Sequence, residues 1–331
     1  MVAPFPTSCR TPHFHSGKHS LVVAAPAKIN LFLEIRGKRP DGYHDLESLM
    51  VAVNLFDTLE LTARCDGAIE LSCEESLSCG TGLQTCESNT GRNACATKIP
   101  TGPDNLVYKA AERLRIRANR KELGASIHLT KRIPMQAGLA GGSSDAAATI
   151  LGLNHLWNLN LSHSELAAVA AEVGSDVAFF LALPAGWCTG RGELVAPEAS
   201  SRSFDVVLVC PPVGLSTVEV YRALQVPSVP VDGFAARAAF RAGDPDALGA
   251  ALFNRLQPPA VHLAPAVETV YRRLAGLKPA GCLMSGSGSA VFALCRDSHE
   301  AHRVAKAFRA SRPPAEPESR VVVVRTLEIG G

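Results

Sequence analysis

A period of two opens the patterned part of the chain. Ala27, Ile29, Leu31, Leu33 and Ile35 fall on one face of a strand, and Lys28, Asn30, Phe32 and Glu34 on the other. The first face reads as core. The second sets an ammonium and an amide on alternate residues, close enough to serve one site. A solvated face with an incidental lysine is the ordinary reading of a single strand. The run Gly37-Lys38-Arg39-Pro40-Asp41-Gly42 predicts a turn, and Tyr43 and His44 follow it at once. A second strand carries Leu49, Val51, Val53 and Leu55 on one face, and Phe56-Asp57 is read as a turn into Thr58-Leu59-Glu60-Leu61. Aromatic residues beside a tight turn usually pack there. They also suit stacking on a flat ring.

Periodicity disappears over residues 65–100, where Ser, Thr, Gly, Asn and Cys dominate, and a mobile insertion is expected. Residues 1–20 are expected to be unstructured. Order resumes at Asp104, with Leu106, Ala110 and Leu114 at helical spacing. Ala125 to Thr130 alternates as a strand, and Ala146, Ile150, Leu153 and Trp157 mark a helix. Ser162-His163-Ser164-Glu165 is a capping box opening a helix with Leu166, Ala170 and Ala171 inward. From Phe204 the chain reads as a second α+β unit. It has strands at Asp205–Cys210 and Arg320–Arg325, and helices near Val218–Ala223, Val267–Leu274 and Ala301–Phe308. Two domains are expected, residues 21–200 and 201–331.

Chemistry concentrates between the Ala125 strand and the Ala146 helix. Pro134-Met135-Gln136-Ala137-Gly138-Leu139-Ala140-Gly141-Gly142-Ser143-Ser144 joins them. Glycines let successive backbone N–H groups face one hollow, and a helix N-terminus adds unpaired donors and partial positive charge. The two serines are cap-type residues whose hydroxyls could reach a phosphate or a magnesium ion. No lysine follows the glycines, so this is not the G-x-x-x-x-G-K-[ST] loop. The alternative is a plain turn, but a helix that begins directly at the glycines puts phosphate binding ahead. Two other places stay open. Asp176 is either a helix N-cap or a carboxylate with a chemical role. Pro279 to Gly288 is either a glycine hairpin or a second backbone wall.

Composition narrows the class. With 331 residues, 47% hydrophobic and 19% charged, the chain can bury two cores. A net charge of +2 argues against an extended nucleic-acid surface, and no apolar run reaches the ~18 residues of a membrane span. The stretch before Leu21 lacks acids and an apolar core segment, so no secretory signal is read. A loose tail or misassigned start is expected there, with a transit segment as the alternative. Five of ten cysteines, Cys65, Cys73, Cys79, Cys86 and Cys95, lie in the unpatterned segment without a C-x-x-C or a histidine. Reduced thiols are expected rather than zinc, and no side-chain metal site is assigned.

Three segments together resemble the GHMP kinases, the superfamily of galactokinase, homoserine kinase and mevalonate kinase. They are Pro26-Ala27-Lys28-Ile29-Asn30-Leu31, the Pro134–Ala147 loop, and Met284-Ser285-Gly286-Ser287-Gly288, in that order. Finer features resemble the branch that phosphorylates an alcohol linked to cytidine diphosphate: Arg39-Pro40-Asp41-Gly42-Tyr43-His44, Gly174-Ser175-Asp176-Val177 and Asn254-Arg255-Leu256-Gln257-Pro258. The resemblance implies a two-domain α+β fold. Its N-terminal domain would be like ribosomal protein S5 domain 2 and its C-terminal domain ferredoxin-like. It implies ATP with magnesium, whose ligands it does not identify, and a cytoplasmic, bacterial-type enzyme, with plastid import as the alternative. Neither nucleic acid nor membrane is an expected partner. By position, Asp176 resembles the general base, Lys28 the cation beside it and Asn30 their orienting amide. Residues 134–144 would hold the ATP phosphates. Tyr43 and His44 resemble the cytidine pocket, and Tyr221 an aromatic stacked on the base. The rival readings are a kinase of homoserine or mevalonate type and a catalytically silent nucleotide-binding relative. Gln136 and Ala140 stand where many members have glycine. If position 140 needs positive φ, alanine there costs about 1–2 kcal/mol.

Overall fold

Two sheets organise the computed structural model, which describes residues 15–17, 19–76, 99–314 and 316–328. The first contains β1 (His15–Gly17), β2 (Ser20–Lys38), β3 (His44–Arg64), β4 (Ile69–Glu75), β5 (Gly124–Lys131), β6 (Ala185–Thr189) and β7 (Leu194–Pro197), with helices α1 (Leu106–Arg117), α2 (Gly141–Leu156), α3 (His163–Val173) and α4 (Val177–Leu181). The second contains β8 (Asp205–Cys210), β10 (Gly281–Met284), β11 (Val291–Cys295) and β12 (Arg320–Arg325). Around it lie α5 (Thr217–Ala223), α6 (Phe234–Ala242), α7 (Pro245–Ala251), α8 (Gln257–Leu263), α9 (Pro265–Gly276) and α10 (Ser298–Ala310). The short strand β9 (Phe253–Asn254) leaves this unit to join the first sheet.

The first sheet is built on the β2–β3 hairpin. Its strand order is β1-β2-β3-β5-β4, with β6 also on β3, β7 on β6 and β9 on β2. Near the open end, β3 pairs with β5; near the hairpin turn it pairs with β6. A register shift divides these halves. Pro26 faces Phe56 while Ala27 faces Val53, so the extra residues of β3 bulge out beside Lys28. The expected turn at Phe56-Asp57 is therefore corrected: the chain stays extended through β3, and the polar break marks the bulge.

The second sheet is antiparallel in the order β10-β11-β8-β12. Counted within this sheet, the order is second, third, first, fourth, a ferredoxin-like arrangement. Both faces of β8 are covered. Val206 and Leu208 pack toward the first sheet, and Val207 and Val209 toward α9 and α10, which is why Asp205–Cys210 reads as an unbroken apolar run.

Several local expectations are corrected. Residues 69–75 of the expected insertion form β4, parallel to β5; Cys65 is exposed and Cys73 half-buried, while Cys79, Cys86 and Cys95 lie outside the described residues. Within the tail, His15–Gly17 pairs with Ser20–Val22. The α3 capping box is present, but Ala171 is exposed and Val169 and Val173 point inward beside Leu166 and Ala170.

Candidate active site

The polar face of β2 is buried, not solvated. Lys28 is 3% exposed, and Asn30 and Glu34 are fully buried. Three elements close over that face. Lys28 Nζ donates to Asn30 Oδ1 at 2.6 Å and to Gly138 O at 3.1 Å. The same nitrogen lies 3.8 Å from Asp176 Oδ2, whose side chain is 32% exposed. Asn30 is oriented in turn, because its Nδ2 donates to Ser48 Oγ at 2.7 Å and that hydroxyl donates to Phe32 O at 2.7 Å. Burial pushes the Lys28 ammonium below its ordinary range, and the Asp176 carboxylate opposes the shift. Asp176 occupies the N-cap position of α4 without making a side-chain cap bond. Its carboxylate is thus left for the pocket.

The loop before α2 has the conformation of an anion nest. Gln136, Gly138 and Ala140 take positive φ of 50°, 73° and 52°, while the residues between them do not. Alternation of this kind turns successive N–H groups into one concavity, at the N-terminus of a sixteen-residue helix. The side chains of Ala137 and Leu139 are buried beneath it, those of Met135 and Gln136 face out, and Gly142 is open to solvent. The Ser144 hydroxyl is buried without a partner. Alanine at 140 is therefore in the left-handed region, and Ala140→Gly should stabilise the protein. Relief of ~1–2 kcal/mol of strain, less ~0.4–1 kcal/mol of added chain entropy, leaves about 0.5–1 kcal/mol. A urea titration with unchanged slope would measure it.

Residues 285–288 form the third wall. Ser285 Oγ donates to Gly138 O at 3.0 Å, and Ala290 N donates to Ala137 O at 3.1 Å. The second backbone wall is thus the arrangement found, built on the hairpin of β10 and β11.

A ring pair lies within the field of Asp176. His44 and Tyr221 stand 5.3 Å apart, tilted by 38°. Burial, then Lys38, pushes the His44 imidazole down. Burial, then Asp176, pushes the Tyr221 phenol up, so that the hydroxyl lies within the field of the carboxylate. Tyr43 does not join the pair. It is 56% exposed, with the Arg191 guanidinium 5.0 Å above its ring.

Sequence reasoning missed several neighbours. Ser48 carries no signal beyond its place on β3. Cys188 is buried in β6, its thiol pushed up to about 12 by burial and then by Asp176. Beneath the loop, Lys131 Nζ donates to Asp57 and, at 2.7 Å, to Asp145 Oδ2. Asp57 Oδ1 also accepts from Arg132 N and from Ile133 N at 2.5 and 2.8 Å. This buried cluster ties the strand before the loop to the helix after it. Burial pushes the Asp145 carboxyl upward. A single lysine at a strand end and an acid within an apolar run gave no warning of it.

An anion nest, a lysine shared between that nest and a carboxylate, and a split α+β frame are the arrangement of a small-molecule kinase of the GHMP class. Residues 105–182 match the GHMP kinase N-terminal domain and residues 236–313 the GHMP kinase C-terminal domain. The 4-diphosphocytidyl-2-C-methyl-D-erythritol kinase of Shouchella clausii is 40% identical over 288 residues, covering 87% of this chain and 90% of that protein. The kinase of the same name from Bacillus subtilis is 37% identical, covering 86% and 91%. A crystal structure of 4-(cytidine 5'-diphospho)-2C-methyl-D-erythritol kinase superposes with a TM-score of 0.71 at 32% identity, covering 92% of this chain and 98% of that one. Homoserine kinase from Cytophaga hutchinsonii shares the fold, with a TM-score of 0.72 at 18% identity and coverage of 96% and 98%. The chain belongs to the 4-diphosphocytidyl-2-C-methyl-D-erythritol kinase family.

Proposed function

We propose that the protein transfers the terminal phosphoryl group of ATP to the 2-hydroxyl of 4-diphosphocytidyl-2-C-methyl-D-erythritol, the cytidine diphosphate methylerythritol of the non-mevalonate isoprenoid route. The observation that carries this is one buried ammonium. Lys28 Nζ touches both the phosphate loop at Gly138 and the carboxylate of Asp176, where a terminal phosphoryl group and its acceptor would have to meet.

Phosphoryl transfer asks a protein for positioning and charge stabilisation more than covalent work. In the proposed reaction the nest of residues 134–144 takes the ATP phosphates through backbone N–H groups. Asp176 accepts the proton of the acceptor hydroxyl. Lys28 offsets the negative charge gathered there, and Asn30, fixed by Ser48, holds the ammonium in place. His44 and Tyr221 form the platform for the cytosine ring, with Tyr43 closing its outer side. The change of sheet between Pro197 and Asp205 is the proposed domain division.

Magnesium is proposed to arrive with ATP. Among the described residues no group of three or more His, Cys, Asp or Glu side chains could hold a metal ion. Those residues offer no carboxylate cage for it. Among those residues, too, no helix is long and apolar enough to cross a membrane. The bacterial relatives are consistent with a cytoplasmic enzyme.

A coupled ADP-release assay tests the reading. Turnover is expected with the cytidylated methylerythritol and not with homoserine or mevalonate, and CMP should compete with the accepted substrate. Turnover of homoserine or mevalonate without CMP inhibition would move the protein to another GHMP activity. ATP binding without ADP release over the whole panel would make it a silent relative.

A further inference from the structure

The segment Asn254-Arg255-Leu256-Gln257 lies outside the proposed reaction, yet Asn254 and Gln257 bond to the chain at Met284 and Gly286. We propose that Asn254 is a positioning residue for Lys28: it staples the 285–288 turn of the second sheet to the strand that carries the lysine.

The staple uses the whole amide. Asn254 Nδ2 donates to Met284 O and to Gly286 O, each at 2.8 Å. Its Oδ1 accepts from Leu256 N at 2.9 Å. Gln257 adds a second tie, its Oε1 accepting from Met284 N at 2.9 Å. The amide is buried, so each of these bonds forms away from competing water.

Asn254 is itself held on β2. Phe253 and Asn254 pair in parallel with Phe32 and Leu33, and Arg255 N donates to Leu33 O at 2.9 Å. One residue thus grips the Lys28 strand through its backbone and the glycine turn through its side chain. The turn is the floor under the ammonium. A Cβ on Gly286 would stand 3.1 Å from Lys28 Nζ, 3.3 Å from Asn30 Oδ1 and 3.0 Å from Gly138 O. A shift of the Gly286 carbonyl would move that floor against both the lysine and the phosphate loop.

Arg255 provides the contrast. Its guanidinium forks onto Glu34, with Nε to Oε1 at 2.8 Å and Nη2 to Oε2 at 2.7 Å. Glu34 also accepts from Ile35 N and Val231 N, each at 2.7 Å. That arm supports the fold and makes no contact with Lys28, Gly138 or Asp176.

The two arms predict separable results. Asn254→Asp keeps the shape and the acceptor for Leu256 N but removes both donors and faces a carboxylate toward two carbonyls. It is expected to lower kcat about tenfold or more while leaving KM for the cytidylated substrate within about threefold; KM for ATP should rise as well, because the phosphate loop rests on the same turn. Arg255→Met should instead leave kcat per folded molecule unchanged and lower Tm by roughly 5 °C or more, because it strands a buried carboxylate. An Asn254→Asp enzyme with wild-type kcat, or with loss only in proportion to unfolded protein, would overturn the inference. Should Asn254→Asp not fold, Asn254→Ser, which is smaller, uncharged and leaves at most one of the two donors, tests the same staple. The same loss of kcat is expected, and an unchanged kcat overturns the proposal. The inference rests on the proposed role of Lys28, and the wild-type control separates the two. Absence of wild-type turnover defeats the proposed function; turnover insensitive to these variants defeats only the staple.

Discussion

Asp176→Asn should reduce kcat by about 10²–10⁴-fold, the usual contribution of a positioned base, while ATP and CMP still bind. The amide has nearly the shape of the carboxylate but cannot take a proton from an acceptor hydroxyl. Little stability is at stake. Asp176 makes no cap bond to α4, and its ion pair to Lys28 spans 3.8 Å with the acid a third exposed. The loss should therefore appear in turnover with the melting temperature nearly unchanged. Titration calorimetry with ATP and with CMP supplies the binding half of the test. A variant within tenfold of wild-type kcat would remove Asp176 from the proposed chemistry and leave Lys28 as the principal charged contributor.

Gly138→Ala should be the most damaging single methyl in the loop. A Cβ at this position would stand 2.0 Å from Ser285 O and 3.0 Å from Gly288 N, on a backbone with φ of 73°. Neither neighbour is a flexible side-chain end. Left-handed strain of ~1–2 kcal/mol and overpacking of ~1–3 kcal/mol together predict a loss of about 2–5 kcal/mol. The loop must also move away from the 285–288 turn, carrying with it the carbonyl that accepts from Lys28. KM for ATP is expected to rise about tenfold or more, with kcat falling as well. Thermal melts and initial-rate kinetics measure the two effects. An ATP KM equal to that of the wild type would mean that the loop grips the nucleotide without the third wall.

These two residues differ in how legible they were. Gly138 lies in a strand–glycine–helix succession that local chemistry reads as an anion site, and both the loop and the helix after it were anticipated. Asp176 was not legible from its surroundings. An acid before an apolar run is ordinarily an N-cap, and it does hold that position. What sets it apart is the arrival of Lys28 from a distant strand, 3.8 Å from its carboxylate. The resemblance to GHMP kinases supplied that pairing in advance, on whole motifs, where periodicity could not.

The same limit explains the other corrections. Alternation along β2 holds as far as Asn30 and is broken beyond it by a register shift, and burial of Lys28 and Asn30 depends on the loop, α4 and the 285–288 turn packing over them. Phe32 was placed with the polar residues. A bulge after Asn30 turns it inward, where it stacks 5.7 Å from Trp187. Asp57 looked like a turn residue and is a buried partner of Lys131.

The amino-acid order alone determined what neighbours within a few residues can settle. That includes the glycine nest and the helix it opens, the capping box at Ser162, the unbroken strand at Asp205 and the turn before Tyr43. Backbone sterics, capping and hydrophobic spacing act over such distances. Only the tertiary structure decided which polar side chains lose their water and which charges then meet. Those outcomes belong to surfaces brought together from opposite ends of the chain. The convergence of Lys28, Gly138, Asp176 and Gly286 on one buried ammonium is such an outcome, because the electrostatics of each depend on all the others being in place.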